Sequence, residues 1–168
     1  ILDDLIAYKL SANETLICVN ASNIEKDFNW IKSKLPGFNI KLVNKSNAYS
    51  LLALQGPESE RIISAIGLSQ ATEMSYYSCR RFTLNGSELI VARTGYTGED
   101  GYEIFIPNDV VRTLFNQILE LGAAPIGLAA RDVLRLEVCF PIYGHELNEM
   151  ITPLDAGLKW AVKMDKNT

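Results

Sequence analysis

The sequence predicts an α+β fold built from mainly antiparallel strands. Apolar runs of strand length alternate with helical periodicities, an Asn85-Gly86 turn joins two of those runs, and a polar turn joins two others. The chain has 168 residues, of which 48% are hydrophobic and 21% are charged. This composition is typical of a folded globular protein and excludes a disordered or collagen-like chain.

Two β-rich runs lie near the start of the chain, at residues 1–10 and 15–20, and a polar turn separates them. This pattern predicts a β-hairpin. Asp3 and Asp4 fall inside the first run. Because side chains alternate along a strand, we expect these two carboxylates on opposite faces and in separate roles.

An amphipathic helix is expected next. Ser22 and Glu25 have the spacing of a capping box, in which two side chains satisfy free backbone amides at a helix start. Four apolar residues recur at helical spacing and form the expected buried stripe: Ile24, Phe28, Ile31 and Leu35. The dipeptide Pro36-Gly37 ends this helix, and a strand is expected at 38–43.

The remaining elements follow from turn chemistry and periodicity. A strand is expected at 49–54, and Pro57 suits the first turn of a helix that runs to Ile66. Asn85-Gly86 predicts a tight hairpin between strands at 77–84 and 87–94. Later elements are expected at 108–121 and 127–139, both helices, and at 158–164, a strand.

Polar breaks in the sequence suggest a domain organisation. We expect one discontinuous domain, a ferredoxin-like half, to be formed by residues 1–44 and 146–168. Residues 45–145 are expected to form a second α+β domain.

Charge and composition exclude several classes of function. Sixteen Lys and Arg against twenty Asp and Glu give a net charge of −4, which does not favour nucleic-acid binding. No apolar run reaches the roughly 20 residues that cross a bilayer. The three cysteines are an odd number without a CxxC pair, so we expect free thiols in a reducing compartment. The cytoplasm of a bacterium is preferred, with the mitochondrial matrix as the alternative for a eukaryotic protein.

The most unusual segment of the chain is RTGYTGEDGYE, residues 93–103, in which glycine recurs every third residue. Glycine permits left-handed backbone and the close approach of another group to the main chain. The flat rings of Tyr96 and Tyr102 stand here beside three carboxylates, which suits a planar heterocycle with N–H donors. A purely structural connection between two strands is the alternative.

Five colinear motifs resemble the aminomethyltransferase family, the T-proteins of the glycine cleavage system. They are ILDDLIAY at 1–8, NASNIEKDFNWI at 20–31, LALQGP at 52–57, RTGYTGEDGYE at 93–103 and GLAARDVLRLE at 127–137. The resemblance implies two interleaved α/β sandwich-like domains, of which the second, residues 45–145, is expected to bind folate. It also implies that the chain is the central portion of a family member, without the opening segment and without the C-terminal barrel domain.

The resemblance implies an activity as well. In that family a lipoyl arm on the H-protein carries an aminomethyl group, and the enzyme transfers its methylene carbon to tetrahydrofolate and releases ammonia. The expected partners are therefore lipoylated H-protein and reduced folate, with no nucleic acid, no membrane and no metal. For the piece alone we expect weak folate binding and little turnover.

Site residues follow from the same resemblance, position by position. Asp4 matches the essential carboxylate near the folate nitrogens, and Glu103 matches the glutamate that binds the pterin edge, so we expect one ligand to touch both. Further positions that match folate contacts are Tyr8, Asn20, Tyr76, Tyr96 and Arg131. The structural alternatives are a strand-edge charge for Asp4, an ion pair with Arg93 for Glu103, and helix ion pairs for Arg131.

Other functions remain open at this point. One alternative is a non-catalytic, folate-binding relative that acts in RNA modification or iron–sulfur assembly, although no KGCYxGQ-type segment is found. Another is a folate-dependent demethylase or the folate domain of a sarcosine-type dehydrogenase. Asp4 and the GEDGYE segment favour the aminomethyl reaction. His145 is the only histidine and is expected in a loop.

Overall fold

The structure is a computed structural model that describes residues 1–166. It confirms the α+β fold with antiparallel strands. The described chain divides into two compact units, one formed by residues 1–7, 17–42 and 141–166, the other by 8–16 and 43–140. The domain borders expected after residue 44 and before residue 146 stay a prediction. No helix in the described range is both long and apolar enough to span a membrane.

The first unit is organised around helix α1 (Ile24–Ser33), which follows a 3-10 turn at Ala21–Asn23. The amino group of Ile1 donates to the backbone oxygen of Ile151 at 2.8 Å. The ammonium of Lys26 donates to the backbone oxygen of Leu2 at 2.5 Å. These two hydrogen bonds tie the first residues of the chain to the helix and to the later segment of the same unit.

Strands β1 (Ile6–Ser11) and β2 (Glu14–Cys18) form the expected two-stranded sheet. β1 begins later than expected, so Asp3 and Asp4 precede it. The strand alternation that was to separate these two carboxylates therefore does not apply, and that expectation is wrong.

Three local expectations are corrected in the first unit. No side chain caps α1, because Asn23 takes the cap position and its amide donates instead to Asp3 Oδ1 at 2.7 Å. Residues 38–43 form no strand, since none of the described strands pairs with them and a strand needs such a partner for its backbone groups. The segment 158–164 contains a 3-10 turn, Lys159–Ala161, rather than a strand.

The second unit is built on a four-stranded antiparallel sheet. Its strands, in spatial order, are β3 (Tyr49–Gln55), β6 (Gly101–Pro107), β5 (Ser87–Ala92) and β4 (Cys79–Leu84). The hairpin between β4 and β5 is confirmed: Asn85 and Gly86 have φ angles of 50° and 82°, as a turn with two left-handed residues requires.

Helices cover one face of this sheet and bury its core. Helix α2 (Ser59–Ile63) is shorter than expected and continues into a wider turn at Ser64–Leu68, where Gly67 has a φ of 96°. Helix α3 (Val111–Glu120) adds Leu114 and Ile118 to the core. Tyr102, Ile104 and Ile106 of β6 face this core, so Glu103 and Phe105 face the other side of the sheet.

Helix α4 (Leu128–Glu137) completes the second unit. Arg135 is buried on it and donates to Asp132 Oδ1 at 2.7 Å and to the backbone oxygen of Phe140 at 3.0 Å. These contacts give Arg135 a structural role at the end of this helix. Arg131, one turn earlier, is exposed.

Candidate functional site

The glycines between β5 and β6 make room for a protein side chain. A Cβ atom at Gly95 would lie 1.8 Å from Gln55 Oε1, and one at Gly101 would lie 2.2 Å from the same oxygen. At Gly98, where φ is 79°, a Cβ would lie 2.4 Å from Val138 Cγ1. The glycine spacing is therefore explained by internal packing against the main chain, the structural alternative named for this segment.

The side chain of Gln55 connects the two ends of the glycine segment through hydrogen bonds. Its Nε2 donates to the backbone oxygens of Thr94 at 3.1 Å and of Tyr102 at 3.3 Å. Its Oε1 is buried and has no hydrogen-bond partner among the residues that the structure describes. Gln55 thereby holds the end of β5 and the start of β6 at a fixed separation.

The carboxylates of the segment have three different environments. Asp100 forms an ion pair with Arg93, which also donates to the backbone oxygens of Thr72 at 2.7 Å and Met74 at 3.1 Å. This guanidinium lowers the pKa of Asp100. Glu99 is exposed. The alternative in which Arg93 pairs with Glu103 is thus not observed.

Glu103 is held by two hydroxyl groups. Its Oε2 accepts from Tyr8 Oη at 2.7 Å and from Thr94 Oγ1 at 2.6 Å, and these two hydroxyls are 2.8 Å apart. Tyr8 and Thr94 are 2% and 1% exposed, whereas Glu103 is half-buried. The ring of Tyr8 meets Phe105 edge-on, with centroids 6.1 Å apart. Tyr8 was among the site residues expected from the sequence, but Thr94 was not. The position of Thr94 beside the loop glycines is equally consistent with a residue that only packs.

Two further tyrosines of the expected site belong to the second unit. Tyr76 is 49% exposed and meets Tyr77 edge-on, with centroids 4.6 Å apart. Its pKa is raised by desolvation and by Tyr77, and further by the negative charges of Asp100 and Glu103. Tyr96 is half-buried, with its ring 5.8 Å from that of Phe140.

Asp4 lies in the first unit, where two donors converge on one of its oxygens. Asn20 Nδ2 donates to Asp4 Oδ1 at 2.8 Å, and the backbone N–H of Tyr143 donates to the same oxygen at 2.9 Å. Burial raises the pKa of Asp4, and these hydrogen bonds oppose that effect. The carboxylate is therefore held in one orientation and is more basic than a solvated aspartate.

Asp3 shares the same asparagine. Its Oδ1 accepts from Asn20 Nδ2 at 2.9 Å and from Asn23 Nδ2 at 2.7 Å, and its Oδ2 accepts from the backbone N–H of Asn20 at 3.1 Å. Asp3 and Asp4 thus belong to one hydrogen-bond network, contrary to the separate roles expected from sequence. Asn20, expected to contact the ligand, is shown here to orient both carboxylates.

Asp27 is a second neighbour of the candidate site that was not expected from the sequence. It is only 5% exposed, and its Oδ2 has no partner donor among the described residues. Burial, followed by a hydrogen bond to Asp3 and the negative charge of Asp3, raises its pKa to about 6. A signal existed, because Asp27 lies three residues after Ile24 and four before Ile31, inside the expected apolar stripe.

The expected site residues fall into two sets, each described within its own unit. Asp4 and Asn20 are joined in the first unit, and Tyr8 and Glu103 are joined in the second, which also contains Tyr76, Tyr96 and Arg131. Across residues 1–166, no group of three or more His, Cys, Asp or Glu side chains is arranged to hold a metal ion. His145 lies exposed in a turn, as expected.

Comparison with known proteins gives one consistent family. Residues 1–166 match the family described as the GCVT N-terminal domain. The aminomethyltransferase of Thermotoga petrophila is 44% identical over 171 residues, which is 99% of this chain and 47% of that protein. That of Prosthecochloris aestuarii is 44% identical over 172 residues, with the same coverage.

A solved structure extends the similarity to the fold. The crystal structure of glycine cleavage system aminomethyltransferase T from Bartonella henselae superposes with a TM-score of 0.87 at 34% sequence identity. The superposition covers 98% of this chain and 44% of that chain. The chain therefore spans about half the length of the relatives it matches.

Proposed function

The chain belongs to the GCVT N-terminal domain family, and on that premise we propose that the protein is an aminomethyltransferase of the glycine cleavage system. Its co-substrate is tetrahydrofolate, and its partner is an H-protein whose lipoyl arm carries the aminomethyl group. The relatives reported above are all named aminomethyltransferases, which supports this proposal. Because those relatives are bacterial, the cytoplasm is the proposed compartment.

The proposed reaction defines what the protein must supply. Two C–N bonds form between the methylene carbon and N5 and N10 of tetrahydrofolate, while the C–S bond to the lipoyl arm and the C–N bond to the amino group break. The two protons of N5 and N10 leave with the thiol and with ammonia. The protein must therefore orient these nitrogens and provide a group that handles their protons.

The observation that carries the proposal is the environment of Asp4. Asn20 and the backbone N–H of Tyr143 both bind Oδ1, which fixes the orientation of the carboxylate. Burial raises the pKa of Asp4, which makes it a better proton acceptor. We propose that Asp4 orients a folate nitrogen, accepts its proton and stabilises positive charge that develops there.

Residues of the second unit are proposed to bind the folate. Glu103 accepts N–H donors of the pterin edge, and Tyr76 and Tyr96 provide aromatic and hydroxyl contacts. Tyr8, which is buried, acts through its hydrogen bond to Glu103. Arg131 is exposed on α4, and a guanidinium suits the carboxylates of the folate tail. Asn20 is proposed to act through Asp4.

Asp4→Asn tests the catalytic proposal. The substitution preserves shape and removes the proton acceptor, so we expect the rate of methylene transfer from aminomethyl-lipoyl H-protein to fall about 100-fold or more. The assay is run on the full-length protein that contains this sequence and, in parallel, on the 168-residue chain. Asp165→Asn, a change at an exposed aspartate, is the control. A parental rate in Asp4→Asn would remove Asp4 from the mechanism.

Glu103→Gln tests the binding proposal. An amide replaces one of two acceptor oxygens by a donor, so tetrahydrofolate should bind about tenfold more weakly or worse. Isothermal titration with tetrahydrofolate gives the dissociation constant. Glu99→Gln is the matched control, since Glu99 is exposed in the same segment. Equal affinities for the two variants would return Glu103 to a structural role.

A further inference from the structure

Three oxygen atoms form a closed triangle at Glu103. The distances are 2.7 Å from Tyr8 Oη to Glu103 Oε2, 2.6 Å from Thr94 Oγ1 to Glu103 Oε2, and 2.8 Å between the two hydroxyl oxygens. All three lie within normal O–H···O range. Because Tyr8 and Thr94 are buried, solvent does not compete freely for these groups.

The number of protons limits how the triangle is satisfied. Two hydroxyl groups bring two protons to three contacts, so with an ionised carboxylate at most two contacts are hydrogen bonds at one time. Both hydroxyls donate to Oε2, or one donates to the other, which then donates to Oε2. Whenever both protons stay within the triangle, Oε2 receives at least one of them.

The position of Thr94 is itself fixed. Gln55 Nε2 donates to the Thr94 backbone oxygen at 3.1 Å, and the loop glycines leave Gln55 the space to do so. Thr94 lies two residues after the end of β5, whose last residue, Ala92, pairs with Glu103 on β6. The hydroxyl of Thr94 is therefore presented to Glu103 by rigid backbone on both sides.

We propose that Thr94 is a positioning residue for folate binding. With Tyr8, it takes up Oε2 of Glu103 and leaves Oε1 as the oxygen that meets the N–H donors of the ligand. This inference rests on the proposed function, because it assigns Glu103 to the ligand. One carboxylate oxygen of Glu103 is already occupied by hydroxyl donors, so only the other is assigned to the pterin edge.

The arrangement predicts which way an amide would face at position 103. In Glu103→Gln, the hydroxyls of Tyr8 and Thr94 hold the amide oxygen beside them, which places the NH₂ group where Oε1 was. That group then faces N–H donors of the ligand, so tetrahydrofolate should bind on the order of 100-fold more weakly. This loss is expected to exceed that of any single change at Thr94.

Thr94→Val and Thr94→Ser test the proposal on the full-length protein. Valine keeps the shape and removes the hydroxyl, so the dissociation constant for tetrahydrofolate should rise about tenfold, with kcat at saturating folate unchanged within about twofold. Serine keeps the hydroxyl and should bind within about twofold of the parent. A purely structural role for Thr94 would change the melting temperature and leave the dissociation constant as it was.

Each result bears on a defined claim. If the parent binds tetrahydrofolate and Thr94→Val binds it equally well, or Thr94→Ser is as impaired as Thr94→Val, the positioning role is overturned and the proposed function stands. If the parent binds no tetrahydrofolate, the proposed function fails and this inference fails with it. Should Thr94→Val not fold, Tyr8→Phe removes the other donor to the same oxygen, and an unchanged dissociation constant there would also overturn the proposal.

Discussion

Asp27→Asn should raise the free energy of unfolding above that of the parent, and this gain should be larger at neutral pH than at acidic pH. In the folded protein burial and Asp3 raise the pKa of Asp27 from 3.8 to about 6. Its stabilising contribution is therefore fully present below pH 3.8 and is lost as the pH rises through about 6. Asparagine stays neutral at every pH and still offers an N–H donor toward Asp3.

The size of the effect follows from the same shift. A pKa change from 3.8 to about 6 corresponds to about 3 kcal/mol, at about 1.4 kcal/mol for each tenfold change in proton affinity. Asp3 is only half-buried, so solvent screens its charge. The hydrogen bond to Asp27 also lowers the pKa of Asp3, so one interaction contributes to both shifts. Most of this change falls between pH 3.8 and about 6, and the part between pH 5 and pH 8 is about 1.4 kcal/mol before screening. We therefore expect the difference in free energy of unfolding between variant and parent to grow by about 1 kcal/mol between pH 5 and pH 8.

Urea unfolding followed by circular dichroism at pH 5, 6, 7 and 8 measures this difference. Asp109→Asn is the control, because it makes the same chemical change at an exposed aspartate. A difference that stays constant across this range, or one that shrinks toward pH 8, would refute the reasoning, since Asp27 would then titrate like a solvated carboxyl.

Three further outcomes are expected from the second unit. Gly95→Ala should lower the free energy of unfolding, measured by urea unfolding, by about 1–3 kcal/mol, because its Cβ would overlap Gln55 Oε1. Adding Gln55→Ala to the same protein should recover part of this loss. Tyr102→Phe should be neutral or stabilising by up to about 1 kcal/mol, since the buried hydroxyl has no partner among the described residues; a clear loss in thermal unfolding would reveal one. Asp100→Asn should lower the free energy of unfolding by about 0.5–1 kcal/mol at pH 7, after discounting for exposure, and by almost nothing near pH 2. The reason is that Arg93 lowers the pKa of Asp100, so the contribution of the ion pair disappears as the pH falls. An equal loss at both pH values would contradict this.

Features set by local chemistry could be predicted from the sequence. The Asn85-Gly86 hairpin is one, because both residues adopt left-handed backbone readily and the flanking runs pair in register. Residues 38–43 are the opposite case. Their composition suits a strand, but a strand also needs a neighbour, and that depends on tertiary structure rather than on local preference.

The candidate site was predicted from resemblance more than from physical pattern. Asp4, Asn20 and Glu103 came from motifs, and the structure adds which groups hold them. Asp27 could have been noticed as a charge within an apolar stripe. Thr94 could not, because its role depends on Tyr8, which lies far away in sequence, and on the pairing of β5 with β6.

Gln55 and the two glycines that surround it constrain how this segment can change over evolutionary time. A side chain at Gly95 or Gly101 is accommodated only after the residue at position 55 has become smaller. A smaller residue at position 55, however, removes the two hydrogen bonds that connect the ends of the segment. Substitutions here are therefore order-dependent, and lineages should either retain the trio intact or replace it as a set. Variant libraries that change these positions one at a time would classify them as intolerant, while paired libraries would uncover compatible combinations.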